Sequence, residues 1–549
     1  MKEEIIFYLQ KYLNDHKISF PKEKIFVFVG KNKQFGDFNT NIAILLANKN
    51  KKDAIKIANN IKDFLLNFNY FSDITVTEPG FINFFFKKEQ IIKKALLYFD
   101  KNYQEEFNTI LKQKINYEFV SANPTGYLHL GHARNAIIGE TTVMLLDYIG
   151  HNVTREYYIN DGGNQIDNLA KAIYYYALKK LNIKNDFVKS SEYNGYEIID
   201  YANYLAKKEQ KLFYLKEQEQ IIKKLKKLAI KHYLSEIKKD LNSLMVADFD
   251  IYTSDQKLFD DKKVDEILKN LQKTEYFYEK DGATWLNTSA FFDTKDRVLI
   301  KSDGSFTYMV ADIANHVQKY QRGFDLMINL WGADHHGYEK RIKSGLQILG
   351  YDANKLKIDY ITIVKLLENG QEFKMSKRKG TAIKIREILE KVDLGVFKFS
   401  ILAKGKSQMH AIDIAKINKK DINNIYWYIQ YANSRIHQLL KKAGQERLSN
   451  LELKKNYKYL GEDAKEEQLL SKMTAFHDQV LQASLNREPL ILTNYLKELA
   501  QIFHSYYNNC KIISSNKEQE HERLILIVAL KNLFARIFNI LKIEIIEKM

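Results

Sequence analysis

The chain has one cysteine, Cys510, in 549 residues. A single thiol forms no intrachain disulfide and builds no thiolate-rich zinc or iron–sulfur site, which fits a reducing cytosol. Prolines number four, too few for a proline-rich linker or repeat array. The opening stretch, MKEEIIFYLQKYLNDH, mixes acid, base and apolar residues within single turns. It lacks the uninterrupted apolar run of a secretory signal. The most apolar stretch, 523–546, is broken by Lys531, Arg536 and Lys542. It predicts an amphipathic helix, with no membrane span. Internal repeats are absent.

Size and positive charge are what the chain does have. At roughly 100–200 residues per domain, its length corresponds to about three or four domains. A hydrophobic content of 45% fills several cores. Lys and Arg number 85 against 68 Asp and Glu, a formal charge of +17. Such a surplus points to a polyanionic partner. It also arises wherever A/T-rich codons supply Lys alongside Asn, Ile, Tyr and Phe, so charge alone leaves both readings open.

Residues 1–105 read as a small α/β unit. Ile5, Ile6, Leu9, Tyr12 and Leu13 share a helical face, and Ala54, Ile55, Ala58 and Ile61 repeat that spacing. Strands are predicted at 25–29, at 74–76 and at 81–86, the last two around the turn Pro79-Gly80. From Ile115 the pattern is a strand, a Pro/Gly turn and a helix, the opening of a nucleotide-binding α/β unit. Residues from about 170 to 275 are dense in Lys and Glu, and Ile221, Leu225, Leu228 and Ala229 predict a helical insertion. Strand patterns at 298–300, 326–330 and 361–364 predict that the α/β domain resumes and runs to 410. From 411 to 549 the pattern is helical, with Ile425, Tyr428, Ile429, Ala432, Ile436, Leu439 and Leu440 in one stripe. The fold class is α/β: a Rossmann-like parallel-sheet domain over 106–410, a small α/β domain before it and an all-α domain after it.

Two segments bear chemistry. His129-Leu130-Gly131-His132 sets two histidines around a glycine where the turn enters a helix, after Ala122-Asn123-Pro124-Thr125-Gly126-Tyr127-Leu128. Amides at a helix start favour phosphate. Gly131 leaves its backbone bare for a flat base. The imidazoles can donate to phosphate oxygens as charge builds there. The alternative is a plain His-x-x-His, exposed or part of a metal site, though no third or fourth ligand is evident. Lys374-Met375-Ser376-Lys377-Arg378-Lys379-Gly380-Thr381 follows the turn Glu368-Asn369-Gly370. A loop of several cations and a glycine can close over a triphosphate, with Lys377 neutralising the leaving pyrophosphate. The alternative is a solvated basic loop in a Lys-rich chain.

Taken together, His129–His132 and Lys374–Arg378 resemble the HIGH and KMSKS signatures of class I aminoacyl-tRNA synthetases, with Arg378 in place of the final Ser. Further segments narrow the resemblance to arginyl-tRNA synthetases. Within the core these are Glu118-Phe119-Val120-Ser121-Ala122-Asn123-Pro124-Thr125-Gly126, Arg155-Glu156-Tyr157-Tyr158-Ile159-Asn160-Asp161, Tyr308-Met309-Val310-Ala311-Asp312-Ile313 and Trp331-Gly332-Ala333-Asp334-His335-His336-Gly337. Gly36-Asp37-Phe38-Asn39-Thr40-Asn41 and Pro79-Gly80-Phe81-Ile82-Asn83 resemble that family's N-terminal domain. Tyr428-Ile429-Gln430-Tyr431-Ala432-Asn433-Ser434-Arg435 resembles its helical anticodon-binding domain. Nearly the whole chain is covered, the Lys/Glu-rich insertion only loosely.

The resemblance implies that arginine's carboxylate attacks the α-phosphate of ATP, that pyrophosphate leaves, and that arginyl-adenylate passes its arginyl group to the 2′-hydroxyl of the terminal tRNA ribose. It implies Mg²⁺ with the triphosphate. Catalytic roles fall to His129, His132, Lys374 and Lys377, and ATP contacts to Leu130, Gly131, His132, Met375, Ser376 and Lys377. Glu118, Asn123, Tyr308 and Asp312 would bind arginine, because a guanidinium offers five donors in a rigid fork. Asp161, Gln165, Asp334 and His336 are further pocket candidates. Tyr428, Tyr431, Asn433 and Arg435 would meet the tRNA anticodon. No resident metal is implied, and adjacent His335 and His336 point apart on regular structure. The implied partners are cognate tRNA, L-arginine and ATP, with no membrane; the family is usually monomeric and cytoplasmic. Three rivals stand: a nucleotidylyltransferase, which needs no added helical domain; a non-catalytic RNA-binding relative, which need not keep His129, His132 and Lys377; and another class I synthetase.

Overall fold

The computed structural model describes residues 1–30, 33–108, 110–184, 193, 195–372 and 383–549. The N-terminal unit begins with α1 (Lys2–Asp15), which buries Ile5, Leu9, Tyr12 and Leu13. β1 (Val27–Val29) and β2 (Phe38–Thr40) lead to α2 (Ile42–Asn50) and α3 (Ala54–Leu66), the latter capped by the Asp53 carboxylate accepting from the Ile55 amide at 2.8 Å. β3 (Phe71–Thr77) and β4 (Phe81–Phe86) complete an antiparallel sheet of order β1–β2–β4–β3. Its core ends at Phe86, earlier than the expected boundary at 105. The following α4 (Lys88–Ala95), with Leu96, Tyr98 and Phe107, joins the core of the later domains. Asn532 clamps this segment by donating to the carbonyls of Tyr98 and Phe99, each at 3.0 Å.

β5 (Lys114–Glu118) is buried on both faces, as the centre of a parallel sheet requires. α5 (Leu130–Tyr148) returns the chain to β6 (Asn152–Ile159). α6 (Gly163–Lys180), α7 (Tyr196–Lys208) and α8 (Gln218–Ser243) form the helical insertion around a core of their own, including Leu169, Ile173, Ala202, Leu225 and Ala229. The helices end sooner than expected. Within the stretch predicted as helical to 275, β7 (Ile251–Ser254) pairs parallel with β6. Four half-buried residues are too few to show a strand period. α9 (Asp255–Asp260) and α10 (Lys263–Leu271) precede an antiparallel meander of β8 (Phe277–Lys280), β9 (Ala283–Leu286) and β10 (Arg297–Ile300). The strand predicted at 298–300 therefore exists but lies outside the parallel sheet.

α11 (Tyr308–Gln321), β11 (Leu326–Gly332), α12 (Tyr338–Ile348) and β12 (Leu356–Ile361) finish the parallel sheet, whose order is β12–β11–β5–β6–β7. The chain winds one way from β5 to β7 and the other way from β11 to β12. The order reverses between β5 and β11, and ligands of such sheets bind at the carboxyl ends of the strands flanking that switch point. β13 (Val364–Glu368), β14 (Gln371–Glu372) and a later strand make a second small sheet, so the strand predicted at 361–364 is the break between β12 and β13. α13 (Ile385–Leu389) and α14 (Leu394–Leu402) lead to that strand, β15 (His410–Asp413).

The remainder is helical: α15 (Ile414–Ile417), α16 (Ile425–Ala443), α17 (Gln445–Ser449), α18 (Ala464–Thr474), α19 (Phe476–Leu485), α20 (Leu490–Asn509) and α21 (Lys517–Leu541). α21 was expected to be amphipathic and is instead the bundle's central helix, buried on most sides. Arg523 is buried and pairs with fully buried Glu466 at 2.9 Å, and Arg536 donates to the Lys101 carbonyl. By length and composition alone α21 could cross a membrane, but here it packs inside protein. One apolar core runs unbroken from β5 through this bundle.

Candidate active site

The turn entering α5 is held by its own histidines. His129 is the N-cap, and its Nδ1 accepts from the Gly131 amide at 3.1 Å. His132 Nδ1 accepts in return from the His129 amide at 3.3 Å. They play the parts that Ser and Glu play in a capping box. The rings stack with centroids 3.8 Å apart. Burial lowers the pKa of His129, and burial followed by the neighbouring His129 lowers that of His132 to about 3. Both rings are neutral at physiological pH, and because Nδ1 accepts in each, the proton sits on Nε2. The Leu130 amide donates to the Ile383 carbonyl at 3.1 Å. Three amides of the helix start are thus already taken, so the donors left for a phosphate are the two Nε2–H groups, aided by the helix dipole. Gly131 is exposed, and a Cβ there would meet the His129 ring at 3.1 Å. The backbone before the turn is strained: β-branched Val120 has φ +66° and Ser121 φ +39°. It is pinned by Asn135 of α5, which accepts from the Val120 amide at 2.8 Å and donates to the Leu330 carbonyl at 3.0 Å.

Carboxylates gather at the end of β5, just past the end of β7 and on α11. Glu118 closes β5 and is bound by Lys319, which is fully buried. Asp312 lies one turn after Tyr308 on α11, with Tyr308 63% exposed at the helix start. Burial, reinforced by Glu118 and Asp255, pushes the Asp312 carboxyl up to about 8, with Lys319 opposing. Asp255 begins α9 and accepts from the Tyr158 hydroxyl, and its own pKa is raised by burial. Glu118 is buried and Asp312 and Asp255 are half-buried, with Lys319 paired to Glu118. Tyr158 and Asp255 were not among the residues singled out by sequence. Tyr158 lies within the segment Arg155–Asp161, and Asp255 within the stretch whose Lys/Glu content predicts a helical insertion. The available signal was Ser254-Asp255 at a helix start.

The other sequence candidates are dispersed. Asn123 donates to Gln165 at 2.7 Å. Asp161 accepts from the Ser254 hydroxyl at 2.7 Å and the Gln256 amide at 2.9 Å, tying β6 to α9. Asp334 is exposed. His336 stacks on Tyr360 of edge strand β12 at 3.8 Å and lines a separate cavity of about 380 Å³ with Phe292, Glu339, Lys340 and Lys343. Lys374, Met375, Ser376 and Lys377 lie outside the described residues. Directly after that segment, residues 383–385 are bonded to the histidine turn.

On α16, Tyr431 is 38% exposed, and the Arg435 guanidinium lies 4.2 Å from its ring centroid and 5.0 Å from that of Tyr507. Tyr428 is half-buried against His504. Asn433 is a correction: it is fully buried and donates to the Ile546 carbonyl at 3.0 Å, so its amide holds the C-terminal segment and offers nothing to RNA.

A switch-point α/β sheet with a histidine turn at its carboxyl edge and an appended helical bundle is the architecture of a class I aminoacyl-tRNA synthetase. The family model described as tRNA synthetases class I (R), catalytic domain, matches residues 92–398. Those of the arginyl tRNA synthetase N terminal domain and the DALR anticodon binding domain match residues 3–86 and 429–549. The arginine–tRNA ligase of Mesoplasma florum is 36% identical over 100% of both chains. That of Bacillus pumilus is 37% identical over 100% of this chain and 98% of its own. The solved arginyl-tRNA synthetase of Thermus thermophilus shares the fold at a TM-score of 0.78 and 20% identity, over 100% of both chains. The chain belongs to the arginyl-tRNA synthetase family.

Proposed function

We propose that the chain attaches L-arginine to its cognate tRNA in two steps at the β5–β11 switch point, using ATP. The carrying observation is the carboxylate cluster around Asp312. Asp312 lies close enough to Glu118 and Asp255 for both carboxylates to raise its pKa, and Lys319 is committed to Glu118. A guanidinium supplies the missing cation in a geometry that carboxylates accept two at a time. Tyr308 covers the mouth of this pocket, and Asn123, with Glu118, orients the amino-acid end. ATP lies over Leu130, Gly131 and His132. The arginine carboxylate attacks the α-phosphorus, its bond to the bridging oxygen breaks, and pyrophosphate leaves with its electron pair. His129 and His132 donate from Nε2 to phosphate oxygens as negative charge grows, and Lys374 and Lys377, with Met375 and Ser376, meet the leaving pyrophosphate. Mg²⁺ would accompany the triphosphate. The tRNA ribose hydroxyl then takes the arginyl group and AMP is released.

The bundle from 411 onwards reads the anticodon through Tyr428, Tyr431 and Arg435, and the domain over residues 1–86 meets the outer corner of the tRNA. We assign a monomer in the cytoplasm. The test is a charging assay with each amino acid and total tRNA: arginine alone should be esterified to tRNA in an ATP-dependent reaction. Stable charging by another amino acid, with none by arginine, overturns the reading.

A further inference from the structure

The helical insertion meets the histidine turn at a joint of charged side chains. Asp240, near the end of α8, accepts on Oδ2 from the Leu128 amide at 3.2 Å. Its Oδ1 accepts from Arg386 Nε at 3.0 Å and Nη2 at 2.6 Å. Arg386 Nη1 donates to Glu236, one turn earlier on α8, at 3.1 Å, and its guanidinium lies 4.3 Å from the Tyr127 ring centroid. Lys384 covers the same ring at 4.8 Å and pairs with Glu197 of α7 at 3.1 Å. The backbone repeats the link: Leu130 donates to Ile383 and Ile385 donates to Leu128, each at 3.1 Å. One carboxylate therefore grips both the turn that carries the histidines and the stretch following the basic segment.

We propose that Arg386 is a positioning residue for adenylate formation. Through Asp240 and Tyr127 it fixes the histidine turn against residues 383–386, and it makes that alignment depend on α8 of the insertion. The proposal rests on the reading of the turn as the ATP site. The Arg386 side chain is 39% exposed whereas that of Asp240 is 3% exposed, so the fold's core does not rest on the arginine. The alignment does, because without it Asp240 keeps only the Leu128 amide. A rigid fork lies over an aromatic face and binds two carboxylates together, which an ammonium cannot do.

The full chain is compared with Arg386→Gln, Arg386→Lys and Asp240→Asn by arginine-dependent ATP–pyrophosphate exchange with cognate tRNA present, by filter binding of that tRNA, and by amide hydrogen exchange of the free proteins. Arg386→Gln should lower the exchange kcat about 10- to 100-fold while the arginine KM and tRNA affinity stay within about twofold. Arg386→Lys should recover part of kcat, and the Gln–Asn double variant should fall no further than the worse single. Amides of residues 127–131 should exchange faster, with the N-terminal unit and the C-terminal bundle unchanged. Wild-type kcat in Arg386→Gln, unchanged protection at 127–131, or additive double-variant losses would overturn the proposal. So would loss of protection spread evenly over the chain, the mark of a merely weakened fold. Should Arg386→Gln fail to fold, Arg386→Lys and Asp240→Asn carry the same comparison. A wild-type chain with no arginine-dependent exchange refutes the arginine reading, and the hydrogen-exchange comparison then judges Arg386 separately.

Discussion

On the proposed reading, Asp312 changes its protonation state when arginine arrives. Burial and the carboxylates of Glu118 and Asp255 push it up to about 8, so in the free protein it is mostly protonated at neutral pH. A guanidinium pairs with a carboxylate and not with a carboxylic acid. Binding therefore expels a proton, and apparent affinity rises with pH until the carboxylate is formed. For one group titrating at about 8, affinity weakens nearly tenfold for each pH unit below that value. Between pH 6 and 8 arginine should bind about 50-fold more tightly, roughly 2 kcal/mol. Calorimetry near pH 7, in two buffers of different ionisation enthalpy, should report about one proton released per arginine. Asp312→Asn should bind arginine weakly and lose both the pH slope and the proton release. A flat wild-type affinity from pH 6 to 8, or binding without proton release, refutes the argument. Stability follows the same shift. With the folded pKa raised above the unfolded value, the contribution of Asp312 is full below about pH 4 and is lost as pH climbs through 8. Asp312→Asn, neutral throughout, should melt above wild type at pH 8, by about 2–4 °C for each kcal/mol relieved.

Three further outcomes are expected. Burial holds His132 at about 3, so it gains no charge near neutrality, and its ring should show no titration between about pH 5 and 7 by NMR; an inflection there near the ordinary histidine value of about 6.5 contradicts a neutral His132. Glu118→Gln leaves Lys319 buried with Glu156 at 3.9 Å as its nearest acid, and urea melts should show a loss of about 3 kcal/mol; a loss below about 0.5 kcal/mol would mean the ammonium is satisfied elsewhere. Arg435→Ala should raise the tRNA KM about tenfold with arginine activation unaltered, whereas Asn433→Ala should cost about 1–2 kcal/mol of stability and leave the tRNA KM alone; exchanged phenotypes would reverse the assignment on α16.

Elements with a long period were legible in the sequence: α1, α3, α8 and α16 bury most of the faces their spacing marks, with Ile425 at the start of α16 left exposed. Pairing was not. Alternation at 298–300 reports an extended chain but not its neighbour, and β10 joined a meander. β7 is too short to interrupt a Lys/Glu pattern, which hid Asp255 along with it. The spacing of Lys531 and Arg536 in its second half makes α21 look polar on one face, although a long aliphatic stem lets such a charge reach the margin of a packed core. Asn433 failed for a related reason. An amide is equally polar whether it faces water or a buried carbonyl, and only the path of the C-terminal segment tells the two apart. At the histidine turn, spacing located the residues, but their use of each other's amides depends on rotamers that composition does not encode.

The histidine turn and the carboxylate cluster are tuned by one physical cause with opposite chemical results. Burial disfavours a charge that lacks a partner of opposite sign, so it favours His132 without its extra proton and Asp312 with one. A neutral imidazole with its proton on Nε2 is a donor that holds no fixed charge, which suits a phosphate whose extra charge exists only in passing. A neutral carboxyl poised near pH 8 waits for a partner whose charge is permanent. Arginine, with its guanidinium protonated at every working pH, can restore the Asp312 carboxylate. A neutral isostere of the same length cannot, and would leave the acid protonated and its own head group unpaired. Discrimination then comes from the acid that must be recharged, more than from the room around it, and the same low dielectric that makes the pocket costly when empty makes the matched pair strong.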